Sequence, residues 1–198
     1  MELLLLPLTL FSAYEDVRKR VINTIPYLAV DIAILCIFLY FKSIISLLVI
    51  PIILEYFMKK YSYIPYFIVA IPLIFSPSVL TVSLGYSISL VKVFSLLVKN
   101  FGSGDVKVLQ TIAISFPLYP NLPLPYSLFP PVLSVLFIAS TSGIISSLIN
   151  SRPGTGKEVV DEKKYWVIDG MRKYKIPFVA HIFAGYTIIL ILSLLRLV

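Results

Sequence analysis

The sequence predicts an all-α fold: a polytopic transmembrane helical bundle of about eight spans, with the N-terminus outside. Three observations predict it. Of 198 residues, 59% are hydrophobic and only 14% are charged, where a soluble globular domain carries about 25% charged residues. The mean hydropathy is +0.95, more apolar surface than one soluble domain of this length can hide in a core. The apolar residues also fall into successive stretches that approach the roughly 20 needed to cross a bilayer. The same composition excludes other classes. A single cysteine rules out a disulfide framework or a cysteine-based zinc site, and a single histidine rules out a histidine-rich metal centre. The net charge of +7 would suggest nucleic acid as the partner of a soluble chain. In a membrane chain it reflects basic residues collected in cytoplasmic loops, so the expected surroundings are a lipid bilayer, with no nucleic acid, metal or cofactor.

Residues 1–13 have the apolar character of a signal peptide, with Ser12 and Ala13 as small residues near the end. They lack the basic start of one, carrying Glu2 there, and are read as a retained first helix ending at Tyr14-Glu15-Asp16. The basic cluster Arg18-Lys19-Arg20 follows and orients this helix with its N-terminus outside. Spans at 26–41 and 43–58 are separated by a tight turn at Lys42. Spans at 63–75 and 79–98 are broken at Ser76-Pro77-Ser78, where proline ends one helix and permits a new start. Residues 99–104 form a loop by composition, 105–118 run apolar, and three prolines within 120–125 preclude helix there. The span 126–150 carries Pro130-Pro131 near its start, where proline is tolerated. A single polar stretch, 151–176, reads as a cytoplasmic loop within one domain covering 1–198, and 177–198 is the last span. Arg18–Arg20, Lys59, Lys60, Lys99, Lys107 and the 151–176 segment then share one side, with Lys42 and Arg196 opposite and Lys92 inside a span. The short segment 63–75 is the weak point, and about six spans plus a hairpin is the alternative count.

The chemistry has to come from few polar residues. Phe101-Gly102-Ser103-Gly104-Asp105-Val106-Lys107 is the strongest signal. Two glycines permit unusual backbone angles and close approach of an extended ligand strand, and Asp105 follows at the start of an apolar helix. Alone, this pattern reads as a loop whose aspartate caps a helix. At the end of the first helix, however, Tyr14-Glu15-Asp16-Val17-Arg18-Lys19-Arg20-Val21-Ile22-Asn23 places Asp16 on the same side as Asp105. Asp16 could merely offset its basic neighbours. Two helix-end aspartates on one side of a bundle instead suggest an acid/base dyad, in which one carboxylate activates water and one carboxylic acid polarises a peptide carbonyl. Such a pair titrates as a unit, and the sequence does not say which aspartate is the acid.

These two segments resemble the archaeal type IV prepilin and preflagellin peptidases, aspartyl proteases of the membrane with a Gly-x-Gly-Asp motif. Asp16, Arg18, Arg20, Ile22 and Asn23 match the first motif, although Asn23 follows Ile22 directly; Gly102, Gly104, Asp105 and Lys107 match the second. Lys175-Ile176-Pro177-Phe178 is similar to the family's boundary before the last helix. The resemblance implies Asp16 and Asp105 as catalytic residues, with Gly102, Ser103, Gly104, Glu15, Arg18, Arg20 and Lys107 toward the substrate. It further implies a multi-pass protein of the cell membrane that cuts leaders from pilin-like or archaellin precursors at the cytoplasmic face. The region Ser62–Ser78 departs from it as an extra hairpin, and with Cys36 alone there is no cysteine-bearing domain of the bacterial kind, so N-methyltransferase activity is not implied.

Other residues have blander readings. Asp31 and Glu55 lie in apolar stretches, where ionisable groups turn inward; they either line a cleft or pair with Lys92 or backbone donors. Glu15 is the alternative dyad member if the register differs. His181 reads as an interhelical hydrogen bond before it reads as a functional group. Arg152-Pro153-Gly154-Thr155-Gly156-Lys157-Glu158 lacks the first glycine and the final Ser/Thr of a phosphate loop. Two other classes stand beside the leader peptidase: a presenilin-like protease cutting within membrane helices, and an ion-coupled transporter using Asp31, Glu55 and Asp105. The basic residues after Asp16 argue against the first, and the lack of an internal repeat argues against the second.

Overall fold

A computed structural model describes residues 2–58, 63–98, 101–119, 122, 129–150, 152–153, 165–168 and 171–197. Lys59, Lys60, Lys99, residues 126–128 of the expected seventh span, and Gly154–Glu158 of the phosphate-loop-like stretch lie outside the described residues.

Helix α1 (Glu2–Lys19) runs past Ala13, where the sequence reading ended it, and takes Tyr14, Glu15 and Asp16 into its last turns. Arg18 and Lys19 complement the helix dipole there. The helix stops at Arg20, which adopts a left-handed φ of 58° while its N–H still reaches the Asp16 carbonyl at 3.0 Å, a left-handed C-terminal cap. Helix α2 (Ile25–Tyr40) has Pro26 in its first turn. It closes at Lys42, φ 50°, where Ser43 N–H bonds Phe38 O and Lys42 N–H bonds Leu39 O, both at 2.9 Å; the tight turn expected there is a Schellman motif. Helix α3 (Ser46–Glu55) is shorter than the expected 43–58. The segment 63–75 becomes a 3₁₀ turn, Ile64–Val69, followed by the six-residue α4 (Ala70–Phe75). Helix α5 (Val79–Leu97) starts on Ser78, whose hydroxyl accepts the Thr81 N–H at 3.1 Å. Helix α6 (Ser103–Ser115) ends two residues before Pro117. Helix α7 (Pro131–Asn150) opens on proline, and α8 (Phe178–Leu194) follows Pro177.

The described chain is thus helical apart from one small sheet, and two helices, α5 and α7, are long and apolar enough to cross a membrane. At 20 residues α7 is about 30 Å long. The segment 151–176, read from sequence as a loop, carries a small sheet. Strands β1 (Arg152–Pro153), β2 (Tyr165–Ile168) and β3 (Met171–Tyr174) form an antiparallel sheet in the order β1-β3-β2. Ile168 pairs with Met171, and the intervening sequence Asp169-Gly170 is a two-residue hairpin signature.

The helices enclose two cores. One joins α1, the start of α2, α6, α7 and α8 around Tyr27, Leu109, Ile112 and Tyr186. The other joins the end of α2 with α3, the 3₁₀ turn and α5 around Ile34, Leu48, Ile52 and Ile88. Around these cores, polar side chains turn inward while large apolar ones cover the outside. Asp31, Thr81, Ser83, Ser87, Gln110 and Thr111 are fully buried, whereas Leu4, Ile74, Phe137 and Leu148 stand more than 70% exposed.

The buried charges among Asp31, Glu55 and Lys92 are matched. The Lys92 ammonium meets Glu55 Oε1 at 2.7 Å, with the two side chains 7% and 8% exposed. Glu55 Oε2 accepts from Tyr66 and, at 3.2 Å, from the Gln110 amide. Asp31 accepts from Thr111 at 2.8 Å and from Tyr56 at 3.3 Å. These bonds clamp the short 3₁₀–α4 segment to α3, α5 and α6. Removing one partner strands a buried charge, whereas replacing both does not. Lys92→Met is therefore expected to destabilise the protein by about 3–5 kcal/mol, and Glu55→Gln combined with Lys92→Met to regain most of it. Thermal unfolding in detergent, monitored by helical circular dichroism, measures both.

Candidate active site

The site lies where the end of α1, the start of α6 and the start of α8 meet. Asp16 is 8% exposed because it points inward from α1. Its Oδ2 accepts the Val179 N–H of the first turn of α8 at 2.8 Å, and the Ala180 N–H also bonds the carboxylate. The first N–H groups of a helix lack partners within it, and Pro177 at the N-cap offers no side-chain acceptor; Asp16 supplies one from the first helix of the chain.

Asp105 occupies the third residue of α6, ahead of the apolar run that begins after Lys107. It is half-buried, and its Oδ2 folds back to accept the Gly102 N–H at 3.1 Å, so it caps its own helix. Burial first, and the negative Asp16 second, push the Asp105 carboxyl up to about 7. That second cause places the two carboxyls within electrostatic reach. Burial also raises Asp16, opposed by the Val179 N–H, the Arg20 charge and the Ala180 N–H.

The glycines serve a different purpose from the one their spacing suggests. Gly102 has an ordinary φ of −67°, so no unusual backbone angle is needed. A Cβ on Gly102 would lie 2.7 Å from Asp105 Oδ2, and one on Gly104 would lie 2.8 Å from Cγ1 and Cδ1 of Ile22. The first glycine makes room for the carboxylate, and the second lets the α1–α2 link cross the start of α6. The approach that glycine permits here is that of the chain to itself. Phe101 fixes the loop from the other side, its ring set edge-on to Phe94 at 5.2 Å and to Phe178 at 5.1 Å.

Of the other sequence-derived residues, Arg20 joins this corner. Its Nη2 donates to the Tyr174 hydroxyl at 3.0 Å, and its guanidinium lies 5.1 Å from that ring's centroid. Its Nε and Nη1 are buried with no partner among the described residues. Glu15 turns away, bonded to Lys19 at 3.0 Å and to the Asn23 N–H at 3.3 Å. The Lys19 hydrogen bond, with that N–H, holds the Glu15 carboxyl below its ordinary range. Arg18 is exposed and donates to the Tyr14 hydroxyl at 2.6 Å. Lys107 sets its ammonium 4.1 Å from the Tyr56 ring centroid, and Ser103 is an exposed first residue of α6. Asp31 and Glu55 belong to the buried network, and His181 bonds Ser142 across α7 and α8 at 2.9 Å. Sequence reasoning missed Tyr56, Tyr66, Gln110, Thr111 and Tyr174 as partners. Lys107, Gln110 and Thr111 at helical spacing are the signal for the first four. Among the described residues no group of three or more His, Cys, Asp or Glu could hold a metal ion.

Compared with protein-family models, curated proteins and solved structures, the chain matches none. Its reading rests on the residues themselves.

The packing of Ile22 on Gly104 is directly testable. Gly104→Ala is expected to cost about 1–3 kcal/mol by overpacking. Adding Ile22→Ala, which removes both contacting carbons, is expected to recover at least half of that loss in the same unfolding assay.

Proposed function

We propose that the chain is a multi-pass membrane aspartyl endopeptidase that removes short leaders from pilin-like or archaellin precursors at the cytoplasmic membrane face. One observation carries the reading: carboxyls from distant segments, Asp16 at the end of α1 and Asp105 at the start of α6, come within electrostatic reach, the Asp16 charge helping to raise Asp105, with no lysine or arginine bonded to either among the described residues. The other buried acids are occupied, Glu55 by Lys92 and Asp31 by two hydroxyls. That occupancy leaves less for a transporter to use. The resemblance of both motifs to the archaeal prepilin and preflagellin peptidases supports the substrate class. The apolar exterior and the inward-turned polar side chains support a bundle set in lipid.

A dyad needs one ionised and one protonated member, and two close carboxyls do not both ionise cheaply. The ionised member takes a proton from water as the water oxygen bonds to the scissile carbonyl carbon. The carbonyl electron pair moves to its oxygen, which receives the other member's proton. Collapse of the tetrahedral intermediate breaks the C–N bond, returns the hydroxyl proton to its donor and passes the first proton to the leaving amine. Apolar helix in the bilayer holds the precursor, so the cut falls at a fixed depth just outside it.

Asp16→Asn and Asp105→Asn are each expected to abolish cleavage of a purified precursor in detergent while leaving expression and membrane insertion intact. Each removes a member of a unit whose effects are not additive. Glu15→Gln, whose carboxylate faces Lys19, is expected to retain most activity. Equal losses at Glu15 and Asp16 would sink the assignment. Moving the scissile bond several residues into the apolar helix is expected to stop processing, read by gel shift of the precursor; efficient cutting there would favour the presenilin-like class.

A further inference from the structure

Helix α6 stands between the two cores, and its two sides differ in kind. At about 100° per residue, Val106, Leu109, Ile112 and Ala113 lie within about 100° of Asp105 and pack in the core shared with α1 and α8. Ile114, about 180° away, packs in the other core. Lys107, Gln110 and Thr111 lie about 200°, 140° and 240° from Asp105, on the side turned to α2 and α3, and there the contacts are polar. Thr111 Oγ1 donates to Asp31 Oδ1 of α2 at 2.8 Å, both residues being fully buried. Asp31 Oδ2 accepts at 3.3 Å from Tyr56, which follows α3 and whose ring centroid lies 4.1 Å from the Lys107 ammonium. The Gln110 amide donates to Glu55 Oε2 at 3.2 Å.

Apolar burial is non-directional, so the core beside Asp105 tolerates a turn of α6 about its axis. A hydrogen bond weakens steeply off line and does not. The bond from Gly102 to Asp105 lies within the start of α6 and turns with it. The contacts that hold this start to its neighbours, Ile22 on Gly104 and Phe101 against Phe178, are apolar as well. We infer that Asp31 and Thr111 are positioning residues of the Asp16–Asp105 site: their hydrogen bond keys the rotation of α6 that turns Asp105 away from α2 and α3 and toward the end of α1. The inference rests on the peptidase reading for its catalytic meaning, but the placement of Asp105 stands apart from it. A turn of about 10° carries a group at the roughly 5 Å outer radius of a helix through about 1 Å, and a misplacement of that size can cost about 100-fold in rate. A buried acid outside the reaction thereby acts on the chemical step through the far side of the helix that carries Asp105.

Two measurements on the full-length protein test it, and the first needs no cleavage. With carbon-13-labelled aspartate carboxyls, Asp16→Asn is expected to lower the pH at which Asp105 ionises, because a negative neighbour is lost. In a Thr111→Val background that shift is expected to shrink by at least half, and in a Thr111→Ser background to keep most of its size. An undiminished shift in Thr111→Val overturns the proposal. The second measurement is cleavage of a purified precursor in detergent. Thr111→Val is expected to lower kcat about 10–100-fold with KM unchanged within about twofold, and Thr111→Ser to restore most of the rate. A wild-type kcat, or a loss confined to KM, overturns the proposal. Thr111→Ser no better than Thr111→Val overturns it too, because packing and not the hydroxyl is then at work. Where Thr111→Val does not fold, Tyr56→Phe removes the other hydroxyl from Asp31 and keeps the ring beside Lys107. It is expected to move both readouts in the same direction by a smaller amount, and no change in either overturns the proposal. Failure of the unaltered protein to cleave, with the coupling of the carboxyls lost in Thr111→Val, overturns the peptidase reading and leaves Asp105 placed by Thr111.

Discussion

The contact between the Asp16 carboxylate and the first turn of α8 is the one on which the rest of the site depends. A buried helix start needs acceptors for its free N–H groups, and a proline N-cap cannot give a side-chain one. Asp16 meets that need from the opposite end of the chain, and in doing so sets the rotation of α1. Adjacent helical residues lie about 100° apart, so once Asp16 faces α8, Glu15 is turned toward Lys19 and Asn23. The link that leaves α1 after Arg20 then crosses the start of α6, where Ile22 lies against Gly104. One hydrogen bond thereby orders three helix ends.

The same logic gives the Gly-x-Gly-Asp sequence a structural meaning apart from any ligand. Asp105, at the third helical position, reaches back to the N-cap N–H, and its Oδ2 takes the space that a Cβ on Gly102 would need. Gly104 is the counterpart two residues along, free of a Cβ so that a neighbouring segment can pass. The spacing of the motif is the spacing of a self-capped helix start. Any substrate strand that comes close does so at a surface already shaped by these contacts.

Much of this was legible in the residues. Proline, serine and basic clusters gave most helix boundaries within a few positions, because they act through local backbone chemistry: Ser78 starts α5, Pro131 opens α7 and Lys42 closes α2. Asp16 and Asp105 were found because ionisable groups are rare in such a chain. What escaped was set by contact. The end of α1 was misplaced because Tyr14-Glu15-Asp16 is polar, and only the docking of Asp16 on α8 shows why a helix carries those residues inward. The purpose of the glycines depends on which atoms lie beside them. The sequence offered Lys92 as a partner, which Glu55 takes, but not the hydroxyls and amide that complete the network of Asp31 and Glu55. The sheet in 151–176 was missed although Asp169-Gly170 between β-forming runs announces a hairpin; the density of charge in that stretch masked it.

Charge balance explains why the corner needs a shared proton at all. An acid inside an apolar bundle has to be neutralised or strongly hydrogen-bonded. Glu55 is answered by an ammonium and Asp31 by two hydroxyls. Among the described residues, the corner holds two carboxyls and the guanidinium of Arg20. Two carboxylates would leave that corner with a net negative charge, and two carboxylic acids would leave Arg20 unanswered. One proton on the pair brings the sum of these three groups to zero. The buried surroundings that hold Asp105 near neutrality and the single positive charge beside Asp16 thus favour the same protonation state, the one with a base and an acid side by side.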